Sequence, residues 1–503
     1  MSSLAVVYSR AGVGVDAPLV TVEVHVASGL PSLSIVGLPE TTVKESKDRV
    51  RAAIVNSNFS FPAKKVIINL APADLPKEGG RFDLPIAIGL LIATEQLLAK
   101  EVANYEFLGE LALSGEIRPV KGVLPAAMQT ARAQRSMIVS RGNVQEASLV
   151  SNASVFSASS LLEVCQHLSG QGALPLAETA TNIVSSNELP DLSDVKGQYQ
   201  AKRALEIAAA GGHSLLLVGP PGTGKTMLAS RLTSILPEMT EHEALESAAI
   251  HSIAAGDFDF NQWKKRVYRS PHHTASAVAM VGGGSIPKPG EISLAHNGVL
   301  FLDELPEYSR QVLEVLREPL ESGMISISRA AGKIAFPAKF QLIAAMNPCP
   351  CGYLGDSSGR CHCTVEQVQR YQNKISGPLL DRFDIRLNVP RIAIRDQHEQ
   401  QQAAESSQQI AIRVKRARDL QQQRRKKTNA LLNSKDLNSF CQLDAAARDL
   451  LLNSIEKLQL SSRAHDKILR VARTVADLAG EERIAMNHVA EAITYRKFDI
   501  GRS

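Results

Sequence analysis

A chain of 503 residues, 44% apolar and 21% charged, is too long for one hydrophobic core and reads as a globular protein of two or three domains. With 4% aromatic residues it is poorly suited to binding mainly through stacking platforms, and a formal net charge of +5 tolerates a polyanionic partner without requiring one. Its most apolar run, LPIAIGLLIA (84 to 93), is about half of what crosses a bilayer, and MSSLAVVYSR, without a charged stretch before a long apolar one, is not expected to act as a secretory leader.

Residues 1–168 alternate strand-like runs (LVTVEVHVA, KVIINLAP) with helix-like ones (TTVKESKDRVRAAIVNS, VLPAAMQTARAQ), the pattern of an α/β domain. Small and polar residues over 169–194 predict a linker. A second α/β region spans 195–395. It opens with LLLVGPPGTGKTMLA: an apolar strand from Leu215 to Val218, a glycine-rich loop, and a helix starting at Lys225. Gly219, Pro220, Pro221, Gly222, Thr223, Gly224, Lys225 and Thr226 have the spacing of a loop that holds phosphate oxygens on backbone N–H groups. Lys225 then meets the β/γ charge and the Thr226 hydroxyl ligates Mg²⁺, so ATP and Mg²⁺ are the expected ligands.

Further on, GVLFLDELPEY predicts a buried strand, Val299 to Leu302, that delivers Asp303 and Glu304 at the edge where α/β sheets bind ligands. Asp303 would complete Mg²⁺ coordination and Glu304 would polarise the attacking water. ISISRAAGKIAFPAKF (325 to 340) alternates apolar and polar residues around a turn, a β-hairpin with Arg329 and Lys333 beside its tip. The strand FQLIAAMN ends in Asn347, placed to orient the water or sense the γ-phosphate. In SGPLLDRFD, Arg382 is either a cation for transition-state phosphate charge, supplied in trans, or an ordinary partner of Asp381 or Asp384.

CPCGYLGDSSGRCHC sets Cys349, Cys351, Cys361 and Cys363 within fifteen residues. Four thiolates suit a closed, structural tetrahedral Zn²⁺ site; buried free thiols or a labile disulfide fit the same pattern. Clustered cysteines do not resemble a secreted disulfide framework, and the expectation is a cytoplasmic protein. His362 is a poor ligand beside cysteines already serving, and His272 and His273 are assigned no chemistry. Residues 396–440 read as a helical connector whose basic stretch, 413 to 427, either contacts phosphate or is a solvated face. Residues 441–503 predict three helices, capped by Asp444, Ser462 and Asn487, the second stopping at Gly480.

GPPGTGKT, FLDE, AAMNP and LLDRFD resemble the Walker A, Walker B, sensor 1 and arginine-finger motifs of AAA+ ATPases. The stretch SPHHTASAVAMVGGGSIPKPGEISLAHNGVLFLDELPE is similar to the magnesium-chelatase-like subgroup, and nearly the whole chain resembles its YifB/ComM family. That resemblance implies an α/β multidomain fold: a Lon-protease-like (ribosomal S5 domain 2-like) α+β domain, an AAA+ P-loop core and a C-terminal helical lid. It implies a homo-hexameric ring in which a helix-2 insert, 274–289, and the hairpin before sensor 1, 325–340, face the pore. Arg329, Lys333 and Lys288 would there meet the phosphate backbone of DNA; the residues alone favour a solvated turn with two ordinary surface charges. Arg463 falls at the sensor 2 position, with Arg470 and Arg473 as second choices.

The segment FLGELALSGEIRPVKGVLPAA is similar to Lon-type proteases, but Asp83 stands about where the nucleophilic serine belongs and Leu124 replaces the lysine. No peptidase activity is expected. A ring-assembly or substrate-guiding collar is the implied role, as resemblance to the DNA-repair ATPase RadA suggests. The function implied is ATP hydrolysis coupled to sequence-independent DNA translocation and branch migration, serving homologous recombination of transforming DNA in natural competence, alongside a recombinase and away from membranes. The alternatives are a magnesium-chelatase motor, against which stand the fused N-terminal domain and the lack of an integrin-type segment, and a protein-remodelling ATPase, whose aromatic pore loop SRAAGK does not supply.

Overall fold

The computed structural model describes residues 3–37, 39, 43, 45–178, 189–255, 259–284, 287–329, 332–356, 359–391 and 405–496. The chain folds as a mixed α/β multidomain protein. Its N-terminal unit is a seven-stranded mixed sheet in the order Ser32–Val36, Lys65–Ala71, Leu19–Ala27, Ser3–Arg10, Tyr105–Leu108, Ser136–Ser140, Ser154–Ala158. Val20, Val22, Val24 and Val26 are buried while Thr21, Glu23 and His25 between them are not, the period of two that sets the register against Ser3–Arg10. The apolar run becomes the helix Asp83–Ala93, buried almost all round because it crosses the sheet; a Cβ on Gly89 would lie 2.7 Å from Val24. Among the described residues no helix is long and apolar enough to span a membrane. Asp83 is a buried anchor, bonded by Arg49 at 2.7 Å, by the Ser46 hydroxyl and by the Leu111 N–H; Leu124 packs in an apolar cluster.

The second unit is a five-stranded parallel sheet in the order Tyr268–Arg269, Val299–Leu302, Gln341–Met346, Leu215–Val218, Ile385–Asn388. Its strands are apolar on both faces because both are covered. Leu215, Leu217, Val299, Phe301, Ile343 and Ala345 join one cluster, under Tyr199–Gly211 and the C-terminal helices. Leu216, Val218, Leu300, Leu302, Leu342 and Ala344 join another, which also holds Ile325, Ile327 and Phe336 at the root of the hairpin. The hairpin pairs Met324–Arg329 with Gly332–Pro337. Ala330 and Ala331 at its tip, and the side chains of Arg329 and Lys333, lie outside the described residues. Within 274–289 stand the helix Ala277–Val281 and a small hairpin pairing Gly282 with Pro289 and Gly283 with Lys288.

Both packed units reach into the stretch read as linker: Leu174 is buried with the N-terminal sheet and Leu192 with the second unit, and 179–188 lie outside the described residues. The connector is no free-standing arm either. Its helix, Ser407–Arg425, buries Ile410, Val414 and Ala417 against the second unit, and most of its cations are consumed internally. Arg413 holds Glu206 and Glu405, Arg418 donates to the Ala209 carbonyl, Arg424 meets Asp477, and Arg425 and Lys427 share Asp436. These bridges replace both readings of the basic run for those residues.

In the lid, Asp444 caps Ala445–Lys457 as expected, whereas Ser461 rather than Ser462 caps Ser462–Ala479, which ends at Gly480 (φ +74°). The last helix, Met486–Thr494, is capped from within, the His488 ring accepting from the Ala485 N–H. Lys467 docks the lid by an ion pair of 3.0 Å to buried Asp384. Burial opposes that charge, but Lys467 and His213 hold the carboxyl well below the ordinary range. A depressed pKa stabilises the fold above the unfolded value of about 3.9 and loses that contribution as pH falls through the folded value. Asp384→Asn strands a buried ammonium and is expected to cost about 3–5 kcal/mol at neutral pH, read by urea unfolding; a change under 1 kcal/mol (about fivefold in K) refutes the docking role.

The two units also touch. Leu245, Ala248 and Ala249 on Glu241–Ala255 pack with Val123, Leu124 and Ala127 of the N-terminal unit. Gly14 approaches the hairpin so closely that a Cβ there would lie 3.2 Å from Ile334.

Candidate active site

The glycine-rich loop follows Val218 at the C-terminal edge of the parallel sheet, where helix termini and loops converge. Gly219 is required by crowding, since a Cβ would lie 2.2 Å from the Val389 carbonyl; Gly224 is required by its left-handed backbone (φ +78°). The loop between them turns on itself, the Thr223 hydroxyl donating to Pro220 O at 3.0 Å. Lys225 is buried beneath it. Its Nζ donates to Gly219 O (2.8 Å), Pro220 O (2.9 Å) and Asn347 Oδ1 (3.2 Å), acceptors whose place a phosphate group would take. Burial lowers the Lys225 pKa, opposed by Asp303 and Glu304.

The parallel pairing of Val299–Leu302 with Gln341–Met346, and of that strand with Leu215–Val218, brings three loops to one edge. Asp303 accepts the Thr226 hydroxyl at 2.6 Å, two groups that would hold a divalent cation, and it also accepts the Glu304 N–H at 2.9 Å. Glu304 sits in the left-handed region (φ +50°, ψ +47°), a strain of about 1–3 kcal/mol for a residue with a Cβ, which sets its half-exposed carboxylate apart from Asp303. Sequence reasoning missed what faces it: His273 Nδ1 lies 3.3 Å from Glu304 Oε2. The His272 ring packs on His273 at 4.2 Å between centroids, and the Tyr308 hydroxyl donates to Pro271 O at 2.6 Å. The available signal was position. The strand Tyr268–Arg269 runs parallel to Val299–Leu302, so residues just beyond both strands arrive at the same edge. His273 is thus placed to hold the Glu304 carboxylate aside. His273→Ala is expected to raise ATP turnover about two- to fivefold with KM unchanged; equal kcat would show the contact idle.

Asn347 leads directly into the cysteine loop. Cys349 Sγ lies 3.4 Å from Cys351 Sγ and 3.8 Å from Cys361 Sγ, with Cys351 and Cys361 3.6 Å apart, and all four sulfurs fall within 4.8 Å of one another. Four sulfurs at about 2.3 Å from a tetrahedral zinc ion would stand about 3.8 Å apart, so the cluster fits such a metal. Burial pushes the Cys349 thiol up, whereas a hydrogen bond from the Tyr353 backbone draws Cys351 down towards thiolate. His362 is exposed.

Arg382 is elsewhere. Its carbonyl accepts the Ser214 hydroxyl at 2.6 Å, at the start of the strand whose far end carries the phosphate loop, four residues or about 13 Å away. Its guanidinium pairs with Glu321, while Asp381 faces Arg386 and Asp384 serves Lys467. Burial first, then the charges of Arg463 and Arg317, lower its pKa. Arg463 is exposed one turn before Lys467, the residue that pairs with Asp384 two positions after Arg382. Arg470 donates to Leu432 O, and buried Arg473 is spent on Asp477 and the carbonyls of Glu481 and Glu482. Lys288 is exposed on the small hairpin.

Three family models match the chain: one described as magnesium chelatase, subunit ChlI, over 191–397; one as subunit ChlI of Mg-chelatase over 22–143; and one as the C-terminal part of subunit ChlI over 404–496. The chain is 54% identical over 499 residues to the competence protein ComM of Haemophilus influenzae, covering 98% of this chain and 97% of that protein. It is 52% identical to YifB of Escherichia coli, covering 99% and 98%. To the chloroplastic magnesium-chelatase subunit ChlI-2 of Arabidopsis thaliana it is 20% identical over 303 residues, covering 56% of this chain and 67% of that one.

Proposed function

The chain belongs to the YifB/ComM family of magnesium-chelatase-like AAA+ ATPases, and from that membership we propose an ATP-driven hexameric motor that moves DNA and promotes branch migration during recombination of transforming DNA. The observation that carries the reading is the convergence of Lys225, Thr226, Asp303, Glu304 and Asn347 at one sheet edge, in a chain that roots a hairpin with a basic tip in the same core. Lys225 and the loop backbone bind the β and γ phosphates, Thr226 and Asp303 hold Mg²⁺, Glu304 takes the proton of the attacking water, and Asn347 aligns that water. Mg²⁺, when bound, neutralises charge developing between the β and γ oxygens. Arg382, with Arg463 beside it, serves the site of the adjacent subunit. Arg329, Lys333 and Lys288 face a phosphate backbone in the pore, which predicts salt-dependent, sequence-independent binding. Cys349, Cys351, Cys361 and Cys363 hold a structural Zn²⁺.

The match of 22–143 to a ChlI model means that a fused N-terminal unit does not by itself argue against a chelatase motor. Extent favours the DNA reading instead: ComM and YifB align over almost their whole lengths, the chelatase subunit over 56% of this chain. The test is ATP turnover without DNA and with single-stranded, duplex or four-way-junction DNA, at low and moderate salt, for wild type, Lys225→Ala and Lys333→Ala. DNA is expected to stimulate wild type several-fold, and Lys333→Ala to lose the stimulation while keeping basal turnover. Turnover indifferent to every DNA at every salt would sink the reading and favour a chelatase-type or protein-remodelling motor.

A further inference from the structure

The cysteine cluster does more in this fold than close its own loop. Gly352, the residue after Cys351, has a left-handed backbone (φ +86°) and lies flat on the phosphate loop: a Cβ there would stand 2.7 Å from both Cγ and Cδ of Pro221. Its N–H donates to Cys349 O at 3.0 Å, so the turn that presses on Pro221 is the turn that carries two of the four sulfurs. At the loop's other root, Asn347 accepts from Lys225 Nζ at 3.2 Å, two residues before Cys349, and the next residue, Pro348, has its carbonyl held by Gln372 Nε2 at 3.0 Å. The cluster therefore touches the nucleotide loop twice, once through a proline ring and once through the catalytic lysine. Cys361 closes it from across the loop, 3.8 Å from Cys349 and 3.6 Å from Cys351.

We propose that a thiophilic divalent cation held by Cys349, Cys351, Cys361 and Cys363 is a brace for the phosphate loop, so that metal occupancy sets nucleotide affinity. The inference rests on the ATPase and four-thiolate readings above and goes beyond them by coupling the two sites. With the metal in place the four sulfurs fix the Cys349–Gly352 turn, and that turn fixes Pro221 and Asn347 around Lys225. Without it, the segment keeps local contacts such as the Gln372 bond, the Asp356 N–H to Tyr353 O bond and the stacking of Arg360 over the Tyr353 ring (4.4 Å), none of which joins the Cys349–Gly352 turn to Cys361.

The test uses the full-length chain. Zinc content is measured by elemental analysis, and affinity for a fluorescent non-hydrolysable ATP analogue is measured with Mg²⁺ present. Three forms are compared: as purified, stripped with a chelator that is then removed, and stripped then reloaded with Zn²⁺. Folding of each is followed by circular dichroism. About one zinc per chain is expected, with stripping weakening the nucleotide Kd about tenfold or more and reloading restoring it. Gly352→Ala keeps all four cysteines and is expected to keep its zinc while losing about tenfold or more in nucleotide affinity, because the added methyl displaces Pro221. A zinc-bearing chain whose Kd ignores stripping, or a Gly352→Ala variant that binds nucleotide like wild type, overturns the brace and leaves the metal and ATPase readings standing. Substoichiometric zinc, with no thiolate–metal absorption when Co²⁺ is offered, overturns the metal site and the brace together. A zinc-loaded wild type that binds no nucleotide overturns the ATPase reading and the coupling with it.

Discussion

Glu304→Gln is expected to leave nucleotide binding within about threefold of wild type while lowering turnover by about 10²–10⁴, the usual worth of a general base in the transition state. The split follows from the geometry. The groups proposed to hold phosphate and cation, Lys225, Thr226 and Asp303, are bonded to one another or to the loop, and the Glu304 carboxylate belongs to none of those bonds; it lies 3.3 Å from His273 Nδ1 instead. An amide of the same shape keeps that packing but cannot take a proton from water. Single-turnover hydrolysis beside equilibrium binding separates the two quantities. Lys225→Ala is the contrasting control, since it removes the ammonium that three acceptors surround and should lose binding itself. Turnover of Glu304→Gln near wild type would place the base on another residue.

Arg382→Ala is expected to be about as damaging, by roughly 10³-fold or more, if the guanidinium reaches the transferred phosphoryl group of the next subunit. Its position points away from its own site: its backbone stands at the opposite end of Leu215–Val218 from the loop, and its guanidinium is paired with Glu321. A head-to-tail ring resolves this, because one subunit's sheet edge then meets the other's opposite face. The decisive measurement is a mixture. Neither Arg382→Ala nor Lys225→Ala should hydrolyse ATP alone. Mixed one to one, about a quarter of the interfaces would join an intact Lys225 to an intact Arg382, and activity should return in that proportion. Two inactive variants that stay inactive when mixed would show Arg382 to be needed within its own chain, and an active Arg382→Ala would reduce it to the partner of Glu321.

Much of the chemistry was legible in the residues because it is written in short spacings. A phosphate loop needs its glycines, lysine and threonine in one run, and an apolar strand ending in Asp303 and Glu304 must present both at a sheet edge whatever lies beside it. The four cysteines within fifteen residues are close by chain length alone, and the apolar–polar alternation of the hairpin agrees with the burial of Ile325, Ile327 and Phe336. Charge was misread where local pattern has no reach. Arg413, Arg424, Arg425 and Lys427 of the basic run 413–427 are bridged by Glu206, Asp477 and Asp436, residues that sequence distance gives no reason to pair with them.

What the sequence by itself determined is therefore the inventory: which side chains can bind phosphate, a divalent cation or a thiophilic metal, and on which kind of element each stands. Only the tertiary structure decided the assignments between them. Parallel strand order put His273 against Glu304, the direction of Leu215–Val218 sent Arg382 away from its own Lys225, and loop packing set Gly352 on Pro221. The physical reason is common to all three. Backbone spacing constrains neighbours a few residues apart, whereas contacts between distant segments depend on which strands share hydrogen bonds and which way they run, and that is settled by burial of the whole sheet.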